Sequence, residues 1–66
     1  MNKFMKNIKL KINHEYKFIF GLLTTYNGIV LSQQENWVKI RYIHQLFYDG
    51  KVSMINLENV NVFREV

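Results

Sequence analysis

Cysteine is missing from this 66-residue chain, and so are proline and alanine. Without cysteine there are no disulfides, no thiolate metal ligands and no thiol nucleophile. Acidic residues are scarce: Asp49 is the single aspartate, joined only by Glu15, Glu35, Glu58 and Glu65. That leaves little material for general acid–base chemistry. Glycine stands at 21, 28 and 50 alone, too sparsely for a loop that cradles phosphates. Long apolar runs are lacking too. Phe18–Leu23 is six residues, too short to span a bilayer, and the Lys- and Asn-studded segment before it is no export signal. The expected location is therefore cytoplasmic, with no membrane partner.

What the chain does contain is strand-forming material. Val, Ile, Phe, Tyr, Trp and Thr supply 25 of the 66 residues, and these side chains fit a pleated, half-buried surface. A hydrophobic content of 48% excludes a disordered tail and implies one globular, all-β domain over residues 1–66. Such a small domain buries only about 60% of the surface its unfolded chain exposes, so its stability margin is thin. Disulfides, metals and partner subunits are the usual remedies. Nine Lys+Arg against five Asp+Glu give a net charge of +4. That balance favours anionic partners, although a solubility charge of ordinary size accounts for it equally well.

From Ile8 to Leu22 apolar and polar residues alternate almost without error, the period of a half-buried strand. Asn13-His14-Glu15 interrupts the run, so the expected strands are Met5–Ile12 and Tyr16–Tyr26, with Gly21 marking a bulge or bend in the second. Asn27-Gly28 reads as a type I′ hairpin turn. A short strand Ile29–Ser32, a polar turn Gln33–Asn36 and a strand Trp37–Ile43, extending toward Tyr48, follow. Asp49-Gly50 is a second hairpin turn, ahead of a strand from Lys51 to Ile55 or Asn56. Asn56–Asn59 reads as one tight turn, of 3₁₀ type, before a closing strand Val60–Glu65. Nowhere does an apolar stripe of helical period run uninterrupted by β-formers. Short, strongly bent sequential strands predict a small antiparallel barrel of five to six strands.

The stretch from Gly28-Ile29-Val30-Leu31 through Trp37-Val38-Lys39-Ile40 to Val52–Phe63 resembles the SH3-like and Sm-like small β-barrels. Their order is a bent glycine strand, a middle strand, a hairpin, one tight turn and a closing strand. The resemblance spans residues 16 to 64 and implies a closed barrel. It departs from the Sm-like pattern in lacking an Asp-containing loop where that family places its RNA base-stacking residue. The opening helix is missing as well. No family RNA site is therefore carried over to this chain.

Catalysis has few candidates. Asp49 is explained by its turn, the glutamates fall at turns or strand ends, and His14 and His44 have no metal-ligand spacing around them. No enzyme activity, metal, cofactor or small-molecule substrate is expected. Binding features are better represented. Alternation in the Trp37–Ile43 strand sends Val38, Ile40 and Tyr42 to one face and Trp37, Lys39, Arg41 and Ile43 to the other. Lys9 and Lys11 add cations on the first strand, with Lys3 and Lys6 just before them. Interleaved cations and rings suit single-stranded nucleic acid, because cations neutralise phosphates while rings stack on bases. The same cations also suit plain solvation and edge protection. A nucleic-acid-binding module using Lys9, Lys11, Trp37, Lys39 and Arg41 is the leading expectation.

Ten aromatic residues exceed what one small barrel readily encloses. Ile19 and Leu23 stand opposite Phe18, Phe20 and Leu22, and a strand apolar on both faces is normally covered on both. Leu46, Phe47 and Tyr48 crowd a turn. Ile19, Leu23, Leu46, Phe47 and Tyr48 are therefore expected at an interface with a protein partner or a second copy. The rival reading is accordingly a protein-interaction module, such as a small phage- or plasmid-type regulator or inhibitor, acting by surface occlusion or strand addition.

Overall fold

The computed structural model describes residues 8–66. Five strands form one antiparallel sheet: β1 (Glu15–Phe20), β2 (Thr24–Gln34), β3 (Trp37–Tyr42), β4 (Val52–Asn56) and β5 (Val62–Glu65). A 3₁₀ turn, Leu57–Asn59, precedes β5 as the sequence suggested. In space the order is β4-β3-β2-β1-β5. The first four strands form a meander, and β5 returns to pair with β1.

The expected closed barrel is not formed. Ladders join β1 to β2, β1 to β5, β2 to β3 and β3 to β4, so among the described residues β4 and β5 are the two edges of an open sheet. The resemblance to SH3-like and Sm-like barrels fails at this step. Burial is completed by coverage instead. Leu57 and Val60, on the segment crossing from one edge to the other, pack with Leu10 against Tyr16, Phe18, Val30, Val38, Ile40 and Ile55. Two backbone bonds secure that crossing: Leu57 N–H donates to the Asn36 carbonyl at 2.8 Å and Asn61 N–H to the Ile19 carbonyl at 2.8 Å. Phe18, Val30, Val38, Ile40 and Leu57 are fully enclosed, so the centre of the apolar face is covered without a closing ladder.

Several local expectations also change. Ile8–Ile12 is not a strand, and Met5–Asn7, like Lys3 and Lys6, lie outside the described residues. Ile8–His14 instead runs beside the far half of β2. Gln33 bridges it by accepting from Leu10 N–H at 2.8 Å and donating to the Ile8 carbonyl at 2.7 Å. Asn13, at φ 70°, kinks this segment before β1 begins.

The first hairpin turns at Gly21–Leu23, where Gly21 takes φ 64°, and not at Asn27-Gly28. A type I′ turn would need positive φ at both residues. Here they lie inside β2, opposite Lys17 and Tyr16. Gly28 has a different reason to be glycine. A Cβ there would sit 2.9 Å from Ile40 Cδ1 and 3.2 Å from the Arg41 carbonyl oxygen, so β3 packs against bare backbone.

The eleven-residue β2 carries its irregularity farther on, where the register against β3 shifts between Val30 and Ser32. That is one extra residue, a β-bulge. The expected polar turn Gln33–Asn36 shortens to Glu35-Asn36, because β2 runs on to Gln34. β3 stops at Tyr42 instead of extending toward Tyr48, so Asp49-Gly50 turns within a longer connection, Ile43–Lys51, and is not a two-residue hairpin. Gly50, at φ 84°, donates from N–H to the Tyr42 carbonyl at 2.7 Å.

Candidate functional site

Strand alternation divides the sheet into a core face and an open face. On β3, Val38 and Ile40 are buried, whereas Trp37, Lys39 and Arg41 are exposed on the open face. Cross-strand register extends that face. Lys39 stands between Ser32 and Met54, Arg41 between Ile29 and Val52, and Trp37 between Gln34 and Asn56. Toward the other edge, Lys17 of β1 lies directly opposite Arg64 of β5. Lys17, Lys39, Arg41 and Arg64 thus share one face. Among the described residues, none of them forms an ion pair. Like charges facing each other across a ladder are destabilising, so the Lys17–Arg64 pair costs stability unless an anion lies between them. Sequence reasoning missed Lys17 and Arg64 because their opposition exists only in the β1–β5 register.

Lys11 is engaged elsewhere. Its ammonium lies 3.4 Å from Glu65, whose other carboxylate oxygen is 2.6 Å from His14 Nδ1. The His14 hydrogen bond, with help from Lys11, holds the Glu65 carboxyl below the usual glutamate range. Lys9 is exposed on the same N-terminal segment. The five residues expected to act together therefore separate into Trp37, Lys39 and Arg41 on β3, and Lys9 and Lys11 on a segment tied partly to β5.

A shallow groove of about 350 Å³ lies beside β4, its aromatic lining on the core face, and reaches Trp37. Its lining includes Phe20, Tyr26 and Tyr42 together with Met54, Ile55 and Asn56 of β4. Behind it the rings pack edge to face, with Phe20–Tyr26 centroids 5.5 Å apart and Tyr42–Tyr48 centroids 4.8 Å apart. Burial in this cluster, reinforced by Tyr26 and Tyr42, raises the Tyr48 phenol above its ordinary value of 10.0.

Of the residues expected at an interface, Tyr48 is half-buried in that cluster and Ile19 is half-buried on the open face. Leu23, Leu46 and Phe47 are 94%, 85% and 83% exposed, and Leu22 is 96% exposed. They occupy the β1–β2 turn and the β3–β4 connection. Both project from the same end of the sheet, since Phe20 pairs with Thr24, and β3 runs antiparallel to β2.

Among the described residues no three His, Asp or Glu side chains cluster so as to hold a metal ion, and no helix is long and apolar enough to cross a membrane. Comparison with protein families, curated proteins and solved structures gives no match to this chain.

Proposed function

We propose that this protein is a non-catalytic, cytoplasmic nucleic-acid-binding module that engages single strands on the open face of its sheet. The observation that carries the reading is the placement of Trp37, Lys39 and Arg41 side by side along β3, exposed on the open face and, among the described residues, free of ion pairs. Lys39, Arg41, Lys17 and Arg64 neutralise phosphates, and Trp37 offers a ring for base stacking. Phosphate neutralisation and ring stacking carry little sequence information, so low sequence specificity is expected.

Trp37 is the single tryptophan, so its fluorescence reports binding directly. Four phosphate contacts give a log–log salt slope of about −3, or roughly fifty-fold weaker binding at 200 mM than at 50 mM salt. Lys39→Gln and Arg41→Gln should each reduce that slope by about 0.7. Trp37→Ala, read with a labelled oligonucleotide, should weaken single-strand binding more than duplex binding. Absence of binding at low salt, or indifference to both charge removals, ends this reading.

A second reading is favoured by the four exposed apolar side chains at one end of the sheet. Exposed apolar groups gathered in one place mark contact surfaces. A protein-interaction module would use Leu22, Leu23, Leu46 and Phe47. Leu46→Ser with Phe47→Ser would then abolish partner binding while leaving oligonucleotide affinity unchanged.

A further inference from the structure

We propose that β4 is the pairing edge of a two-fold homodimer, in which Val52–Asn56 of two copies add antiparallel and extend one sheet into the other. The sheet order leaves β4 and β5 as the edges, and they are built differently. β5 carries Arg64 and Glu65, whereas β4 reads Val-Ser-Met-Ile-Asn, with no charge, no proline and no register shift against β3. Charges, prolines and bulges are the devices that keep a strand edge from pairing. β4 has none of them.

The hydrogen-bond phase makes this edge self-complementary. Tyr42 N–H donates to the Lys51 carbonyl at 2.8 Å and Leu57 N–H to the Asn36 carbonyl at 2.8 Å. These bonds bracket β4, so by antiparallel alternation Ser53 and Ile55 bond to β3, while Val52, Met54 and Asn56 direct N–H and C=O outward. When the strand meets its own copy about a two-fold axis at Met54, Val52 faces Asn56 and Met54 faces Met54. Every outward group then meets another outward group, giving ~6 backbone hydrogen bonds.

Charge permits the contact. Exposed Lys51 borders β4, but the two-fold axis at Met54 puts its two copies at opposite ends of the contact, about 20 Å apart. Lys39 and Arg41 stand one strand back, with each Lys39 about 14 Å from its counterpart. Both separations exceed the screening length in physiological salt. Val52 and Met54, both about half exposed on the open face, gain cover from their counterparts. A five-residue edge contact is smaller than a standard interface of ~800 Å² per partner, so the dimer dissociates on dilution. It keeps both open faces on one side of the joined sheet, but it does not depend on nucleic-acid binding.

Sedimentation of nuclease-treated protein, free of nucleic acid, tests the proposal. The expected mass is two chains at high micromolar concentration, falling to one chain on dilution. Met54→Lys sets like charges face to face and should give one chain throughout. A thermal melt confirms that the variant folds, and Val62→Lys on β5 should leave the two-chain mass unchanged. Because the protein lacks cysteine, Met54→Cys supplies a unique thiol. At the axis the paired Cα atoms lie ~5.5 Å apart, within disulfide reach. Met54→Cys should cross-link on mild oxidation at least tenfold faster than Lys39→Cys. A single-chain mass at all concentrations, or a two-chain mass unaffected by Met54→Lys, overturns the proposal. So does growth beyond two chains that Val62→Lys abolishes, which would place β5 in the contact.

Discussion

Replacing Gly28 with alanine probes the central packing decision of this sheet. Gly28 is buried in β2 opposite Tyr42, and an added Cβ would lie 2.9 Å from Ile40 Cδ1, 3.2 Å from Ile40 Cβ and 3.2 Å from the Arg41 carbonyl oxygen. The Cδ1 methyl can swing aside, but the other two atoms belong to β3 itself. The strands must separate by a few tenths of an ångström, and overpacking of that kind costs about 1–3 kcal/mol. In so small a domain each kcal/mol moves Tm by about 4–8 °C, so Gly28→Ala should lower Tm by roughly 5–20 °C. Ile40→Val removes Cδ1 and alone costs about 0.5–1.5 kcal/mol. Together the two should cost less than their sum, with a coupling of about 0.5–1 kcal/mol. Asn27→Val supplies the control. In a strand it should be neutral or mildly stabilising, whereas in a type I′ turn it would be costly. Thermal and urea melts of the four variants measure all of this. An unchanged Tm for Gly28→Ala, strict additivity, or a destabilised Asn27→Val would refute the packing argument.

Glu65 has its carboxyl pKa lowered by His14 and Lys11. Its contribution is present above the unfolded value and is lost as pH falls from about 4.5 through the lower folded value. Glu65→Gln should therefore flatten the acid limb of a Tm–pH profile while changing little of its shape near neutrality. Arg64→Glu turns a like-charge cross-strand pair with Lys17 into an opposite one. It should stabilise the fold by a few tenths of a kcal/mol at low salt and weaken oligonucleotide binding, a trade visible by comparing melts with titrations. Leu57 is fully enclosed on the segment that crosses between the sheet edges. Leu57→Ala should cost about 2–5 kcal/mol, enough to leave a large unfolded fraction in a circular-dichroism melt.

Much of the secondary structure was readable from local chemistry. Period-two alternation marked strands beginning near Tyr16 and at Trp37, although β1 ends at Phe20 and β3 at Tyr42, short of the expected Tyr26 and Ile43. The polar breaks at Gln33–Asn36 and Asp49-Gly50 contain turns. The 3₁₀ turn was legible because Asn56 is a competent cap, its side chain accepting from Glu58 N–H at 2.9 Å. Asn27-Gly28 misled because the same dipeptide chemistry serves two purposes. Glycine permits positive φ in a turn, and it also leaves room for a neighbouring backbone. Only the approach of Ile40 distinguishes them. Likewise, the alternation through Ile8–Ile12 was real but lacked a full ladder partner, since the far half of β2 receives that segment through Gln33 and a few backbone bonds.

For the candidate site, the sequence determined that Trp37, Lys39 and Arg41 would share a face, because a strand allows no other arrangement of residues two apart. It also determined a thin-margined, cysteine-free, all-β domain. Tertiary structure decided the rest. It paired Lys17 with Arg64, diverted Lys11 to Glu65, and gathered Leu22, Leu23, Leu46 and Phe47 at one end. It also left the sheet open, with an uncharged β4 at one edge. Composition sets how much apolar surface must be covered. Whether a closing ladder or a crossing segment covers it depends on contacts between residues far apart in the chain, which no local pattern records.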